Sequence, residues 1–493
     1  MIKDVGTALD FMLNHGFQIH PDALKILEQV DVRELEWVIK QIVRQKEKQQ
    51  AYLISQKDLE SFLGIKEEEE LDDFHEILFD PTSKITSAEG VDGFNALFSS
   101  RYAKLKKIIS NRPEAKMLKP ISAAISVKSK EAVYVCGLVS ERRTDRNVTK
   151  ITLDDPTGSI ETIVIDEDLQ KTASTLLMDQ FVMEKIIVSK NGGFIVKDII
   201  LPDIPDHVSN RSKTETFAVF VSDLHIGSKF FMEKEFNELV EWLSGPDPTA
   251  RKVRFLVIAG DLVDGIGIYP NQDKELIALD SSDQLRLVFD ILDKVPKHIK
   301  VFISPGNHDP GRRALPQPAI PARYNPSLWG RKNFYMIGNP AMISLNGVKV
   351  LVFHGQSVDD IVKTTPGLSY DHPAKVMQCL LRARHLSPIY GAQTPIAPEL
   401  EDHMVIDEIP DIFHVGHVHF VEFDMYKGIL LLNSGAWQSQ TPFQAGVGIV
   451  PNTGIAVLVN LKNFKVYIKD FTQKGSVASA GANLANQLAS IDS

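Results

Sequence analysis

Apolar positions recur at helical spacing through residues 5–63: Leu9, Met12 and Leu13, then Leu24, Ile26 and Leu27, then Leu35, Val38, Ile39 and Ile42. Such spacing lines one face of each helix, so a compact helical module is predicted over 1–65. Ser55 followed by Asp58 marks a helix start before Leu59, Phe62 and Leu63. From about 118 the pattern changes to strand-like runs: Ala132 to Val139, Val148 to Leu153, Ile160 to Ile165, Phe181 to Val188 and Phe194 to Ile200. Turn signals at Asp155-Pro-Thr-Gly158 and Asn191-Gly-Gly193 separate some of them. Five strands, with a helical piece near Asp168 to Leu177 after the third, predict an OB-type β-barrel over 118–205.

Beyond Pro205 the chain reads as α/β. Phe217 to Val221, Phe255 to Ala259, Val301 to Ile303, Val350 to Phe353 and Ile412 to Val415 are short apolar runs, the mark of buried strands. Phe236, Leu239, Val240 and Leu243 define one intervening helix face; Leu285, Val288, Phe289 and Leu292 define another. With later strands at Leu430 to Leu432, Ile455 to Val459 and Val466 to Ile468, residues 206–473 form one sheet-rich domain. The fold class is therefore multidomain: helical module, OB-type barrel, and a C-terminal α/β domain built as a β-sandwich flanked by helices. Segment 66–117 reads as an acidic linker, from Glu67 to Glu70, followed by a basic amphipathic helix over 92–112 carrying Arg101, Lys104, Lys106 and Lys107, which by itself reads as a surface helix. Residues 474–493, rich in Ala, Ser, Gly and Asn, read as a flexible tail.

Composition narrows the class. A length of 493 residues suggests about three domains, and 43% apolar residues suffice for buried cores. A net charge of −10 excludes a protein that coats nucleic acid by overall charge. Only Cys136 and Cys379 occur, so neither a disulfide framework nor a cysteine zinc site is expected, which fits a cytoplasmic protein. No apolar stretch of about 18 residues suggests a membrane span. The barrel segment has only Tyr134, Phe181 and Phe194 as aromatics, a thin platform for stacking bases, so a docking role outweighs strand binding.

Five short motifs follow predicted strands: Asp223-Leu-His225, Gly260-Asp261, Gly306-Asn307-His308-Asp309, His354-Gly355 and Gly416-His417-Val-His419. Any one alone is a turn or a helix cap. In order after five apolar strands, they read as a two-metal phosphoesterase site, because hydrolysis of a phosphodiester needs an activated water and neutralised phosphoryl charge. Asp261 is the candidate bridge between two divalent ions, with Asp223, His225 and His419 on one and Asn307, His354 and His417 on the other. These donors suit manganese, iron or zinc, with magnesium also possible. His308 is the candidate proton donor to the leaving oxygen, and Asp309 the carboxylate that would orient it.

These motifs resemble the calcineurin-like metallophosphoesterase superfamily. Longer stretches resemble one branch of it, the small subunits of archaeal family D DNA polymerases: Gly260-Asp-Leu-Val-Asp-Gly-Ile-Gly-Ile-Tyr-Pro270, Asn307-His-Asp-Pro with Pro316-Gln-Pro318, His354-Gly-Gln-Ser-Val-Asp-Asp360, Arg384-His-Leu-Ser-Pro-Ile-Tyr-Gly391, Thr394-Pro-Ile396 and Asn433-Ser-Gly-Ala-Trp-Gln-Ser-Gln-Thr-Pro442. The order of modules is similar too. The resemblance implies a manganese-favouring 3′-to-5′ exonuclease acting on single-stranded or mispaired DNA ends, with His308 catalytic, and a separate large subunit carrying the polymerase centre. Two departures stand out. Gln356 occupies a position where a basic residue is expected, and Gln487-Leu-Ala-Ser-Ile-Asp-Ser493 lacks the aromatic pair of a sliding-clamp motif, arguing against a clamp contact there. Rival readings are a scaffold protein without activity and a stand-alone phosphatase or repair nuclease. A pure scaffold has no need of the metal-type residues, and a stand-alone enzyme has none of the docking modules.

Overall fold

The computed structural model describes residues 4–28, 30, 32–48, 51–63, 71–127, 131–146, 148–189, 192–473 and 477–479. The chain divides into two compact units, Met1–Leu71 and Asp72–Ser493. In the first, helices Val5–Asn14, Pro21–Leu27, Val32–Lys48 and Gln56–Leu63 enclose a core of Met12, Phe17, Leu27, Leu35, Ile39, Ile42 and Leu59. Asp4 caps the first helix in a reciprocal bond with Thr7, and Pro21 opens the second where no amide donor is needed. The acidic run Glu67 to Glu70 lies outside the described residues.

The second unit holds the barrel and the sandwich. Strands Val133–Asp145, Val148–Asp155, Gly158–Val164, Phe194–Ile200 and Phe181–Val188 close on one another in that order, with helix Glu167–Ala173 after the third. Tyr134 and Phe181 are buried and Phe194 packs against the barrel core, so none of the three forms an open stacking platform.

Downstream, two sheets face each other. A seven-stranded sheet runs Phe334–Met336, Lys300–Ser304, Val253–Ala259, Phe217–Val221, Ile455–Asn460, Val466–Asp470, Val477–Ser479. A six-stranded sheet runs Glu422–Tyr426, Ile429–Asn433, Ile412–Val415, Val348–Phe353, Ala341–Leu345, His75–Phe79. Alternation along each buried strand serves two layers at once. Phe220, Phe255, Val257 and Phe302 meet Ile343, Val350, Val352, Ile412 and Leu432 between the sheets. Val219, Leu256, Ile258 and Ile303 turn outward onto helices Glu233–Ser244 and Ser281–Leu292, while Leu351, Phe353, Phe413 and Leu431 turn outward onto Pro373–Ala383.

Three expectations are corrected. The segment 66–117 is not simply linker and helix, since His75–Phe79 pairs antiparallel with Ala341–Leu345 as the sheet's edge strand. Its run is short and only half-buried, so its apolar signal is weak. The basic helix, Gly90–Ile109, is no free surface helix either: it packs Tyr102, Leu105 and Ile109 onto the barrel and buries Arg101 against Asp402. Finally, Val477–Ser479 extends the seven-stranded sheet, so the tail reading does not hold there; residues 474–476 and 480–493, including Gln487 to Ser493, lie outside the described residues.

Candidate metal centre

The strands at Phe217–Val221, Val253–Ala259 and Lys300–Ser304 run parallel in one sheet, and those at Val348–Phe353 and Ile412–Val415 run parallel in the other. Their carboxyl ends converge, and ligands of parallel sheets gather outside such ends. Asp223, His225, Asp261, Asn307, His354, His417 and His419 all leave from them. Five of these adopt left-handed backbone, with φ of 54° at Asp223, 52° at His225, 53° at Asp261, 71° at His417 and 61° at His419. Non-glycine residues rarely take that conformation, and its clustering marks a functional site. Gly306 and Gly416 give the room: a Cβ at Gly306 would lie 2.2 Å from Asp261 Oδ1, and one at Gly416 would lie 2.5 Å from Ser222 Oγ.

The donors form two adjoining groups, Asp223/His225/His419 and Asp261/His354/His417, and His225 also clusters with Asp264 and His308. In the first, His225 Nε2 is 3.2 Å from His419 Nε2, and His419 Nε2 is 3.4 Å from Asp223 Oδ1, a buried atom without a hydrogen-bond partner. In the second, His354 Nδ1 is 2.8 Å from the Ala259 carbonyl, which can only accept, so Nδ1 carries the proton. Its Nε2 lone pair then faces Asn307 Oδ1 at 2.9 Å and Asp261 Oδ2 at 3.3 Å. Three electron-rich atoms directed at one point fit a cation between them. Protein charge alone expresses the same demand. Burial opposes a charged His354, yet Asp261 and Asp223 outweigh it and lift its pKa to about 10. His225 rises to about 9 against its burial, through Asp264 and Asp261.

Further residues hold the imidazoles in place. The Asp264 carboxylate lies 3.1 Å from His225 Nδ1, and its backbone carbonyl 2.7 Å from His308 Nδ1. Asp359 Oδ2 lies 3.2 Å from His417 Nε2 and accepts from it, leaving the Nδ1 lone pair of that ring for an ion. Gln438 Nε2 donates to Asp264 Oδ1 at 2.8 Å, and Gln444 Nε2 is 2.9 Å from His419 Nδ1. Asp264, Asp359, Gln438 and Gln444 are absent from the sequence-level site; Asp264 and Asp359 sit inside the motif stretches, three and five residues after a donor, which was the available signal.

Asp309 requires correction. It does not orient His308: its carboxylate accepts from the backbone N–H groups of Leu262, Val263 and Gly306, at 3.3, 3.2 and 2.8 Å. It thus binds the Asp261 and Asn307 loops together, and burial beside Asp261 pushes its pKa up to about 7. Gln356 is buried and contacts Asn339 at 3.3 Å. It is packed inside the domain.

A cavity of about 520 Å³ opens on the centre, lined by His225, His308, His417 and His419 together with Tyr269, Tyr370, Phe443 and Val447. Over residues 218–424 the sequence around this geometry matches the model of the DNA polymerase alpha/epsilon B-subunit family. The DNA polymerase II small subunit of Archaeoglobus fulgidus is 41% identical over 384 residues, covering 77% of this chain and 77% of that one. The chain belongs to the DNA polymerase II small-subunit family. The Methanothermobacter thermautotrophicus small subunit is 39% identical over 78% of this chain and 81% of its own length; that of Pyrococcus horikoshii is 38% identical over 79% of this chain and 65% of its own. The small-subunit match extends well beyond the sandwich. Among the described residues no helix is long and apolar enough to cross a membrane.

Proposed function

We propose that the chain is the proofreading subunit of a replicative DNA polymerase, a two-metal 3′-to-5′ exonuclease that works beside a separate large catalytic subunit. The observation that carries this reading is the convergence of seven metal-type donors from five strand ends, with His308 beside them at the cavity wall. Asp223, His225 and His419 would hold one ion, Asn307, His354 and His417 the other, and Asp261 would stand between them. Divalent ions, manganese the leading candidate, supply a hydroxide-like nucleophile at neutral pH and neutralise phosphoryl charge.

The chain's own side chains do the rest. The Asp264 carbonyl fixes the His308 proton on Nδ1, so Nε2 is the nitrogen free to act in the cavity. Burial lowers the pKa of His308, against the pull of the Asp261 carboxylate. To protonate the leaving 3′-oxygen, Nε2 must first take up a proton from solvent, which the negative charge of a bound phosphate favours. The −10 net charge supports a division of labour in which the large subunit provides most of the DNA affinity.

The test is removal of a mispaired primer end by the two-subunit complex. The wild-type small subunit should excise the mispair, and the Asp261→Ala/His308→Ala double variant should not. Equal inertness of both would replace the reading with a scaffold role.

A further inference from the structure

Part of the cavity lining carries no metal-type donor. It is aromatic and open. Phe443 is 64% exposed and Val447 57% exposed, although both line the same cavity as the buried His225 and His419. The Tyr269 ring stacks with that of Phe443, centroids 6.4 Å apart and planes 24° from parallel. Phe443 and Val447 present exposed apolar surface beside the donors, and such surface in a binding cleft marks a ligand contact.

Both rings are also tied to the centre. Phe443 lies in the short helix Pro442–Gly446, which Thr441 and Gln444 cap reciprocally. Gln444 Nε2 reaches Nδ1 of His419 at 2.9 Å. On the other side, the Tyr269 hydroxyl donates to Glu275 at 3.0 Å, and Gln272 ties that loop to the Asp264 carboxylate at 2.9 Å. The platform is thus registered to the imidazoles by two side-chain bridges. A loop that only avoided solvent would need neither.

We infer that Phe443, backed by Tyr269, stacks on the base of the 3′-terminal nucleotide and so places its phosphodiester at the centre. This rests on the nuclease reading. Stacking on a ring face tolerates any base, as removal of arbitrary 3′ ends demands, and contributes about 1–3 kcal/mol per base. A protein partner would have to enter the same cavity as the scissile phosphate, so a nucleobase is the better occupant.

The experiment uses the full chain carrying His308→Ala, so that the DNA end survives, titrated to saturation in magnesium with single-stranded DNA bearing 2-aminopurine as its 3′-terminal base. Stacking should quench the fluorophore. Adding Phe443→Ala should abolish the quench and weaken binding roughly 5- to 150-fold, the equivalent of one stacked base. Phe443→Trp should retain it, and an internal 2-aminopurine should respond equally in all variants. Undiminished quenching in Phe443→Ala, or none in the parent, would overturn the inference. So would unchanged quenching with lost affinity for the large subunit, which would make Phe443 a protein contact. The nuclease reading fails separately, if the wild-type two-subunit complex leaves 3′ ends uncut.

Discussion

The Asp264 carboxylate stands 3.1 Å from Nδ1 of His225, close enough to pair with that ring, while His225 Nε2 lies 3.2 Å from His419 Nε2. Carboxylates placed behind a liganding imidazole commonly govern metal affinity by about 10–100-fold. Asp264→Ala should therefore weaken manganese binding by a factor in that range, measured by calorimetry. Asp264→Asn should weaken it less, since its amide oxygen still accepts from Nδ1. Equal affinities in wild type and Asp264→Ala would show that the carboxylate has no such role.

Arg101 and Asp402, each 1% exposed, form a buried pair at 2.8 Å, and Arg101 also donates to the Pro388 carbonyl at 2.6 Å. Breaking a buried pair from one side leaves an uncompensated charge, at a cost of about 3–5 kcal/mol. Arg101→Ala should lower the thermal midpoint markedly. Lys107→Ala, on the exposed face of the same helix, should shift stability by no more than about 0.5 kcal/mol. Similar melting curves for the two variants would contradict the assignment.

His385 Nε2 donates to that same Asp402 at 2.9 Å, while its Nδ1 accepts from the Ser387 N–H at 3.1 Å. Burial, with Arg101 adding to it, holds the ring's pKa down to about 4, against an ordinary 6.5. Between those values the unfolded chain binds the extra proton, so stability present above pH 6.5 is lost as pH falls toward 4. From pH 7 to 5 this amounts to about 2 kcal/mol. His385→Asn should flatten the acid limb of a melting-temperature profile by that amount. An unchanged slope would refute it.

What could be read from sequence depended on how local each signal was. Asp223, Asp261 and His354 follow apolar runs directly, so strand end and donor are legible together. His308 and Asp309 show the limit of that logic. Adjacent in sequence, they face different partners because the turn sends one carboxylate to the backbone of Leu262, Val263 and Gly306. Arg101 reads as a surface cation because Asp402 lies 301 residues away, and no local pattern encodes that contact. The Arg384-His-Leu-Ser-Pro-Ile-Tyr-Gly391 stretch likewise gains meaning only in three dimensions. Its His385 and Pro388 receive the helix's buried arginine network, and Tyr390 packs on Phe94 and Phe98.

The central claim is a metal-dependent nuclease whose proton-handling residue is separate from its ion ligands. The most direct test measures bound manganese and shortening of a 5′-labelled single-stranded oligonucleotide in the same sample, for wild type and His308→Ala. Two ions per chain in both, with stepwise loss from the 3′ end in wild type and a fall of at least about 10²-fold in the variant, is the predicted result. A variant that keeps its ions and cuts at the wild-type rate, or a metal-loaded wild type that leaves the 3′ end intact, would contradict it.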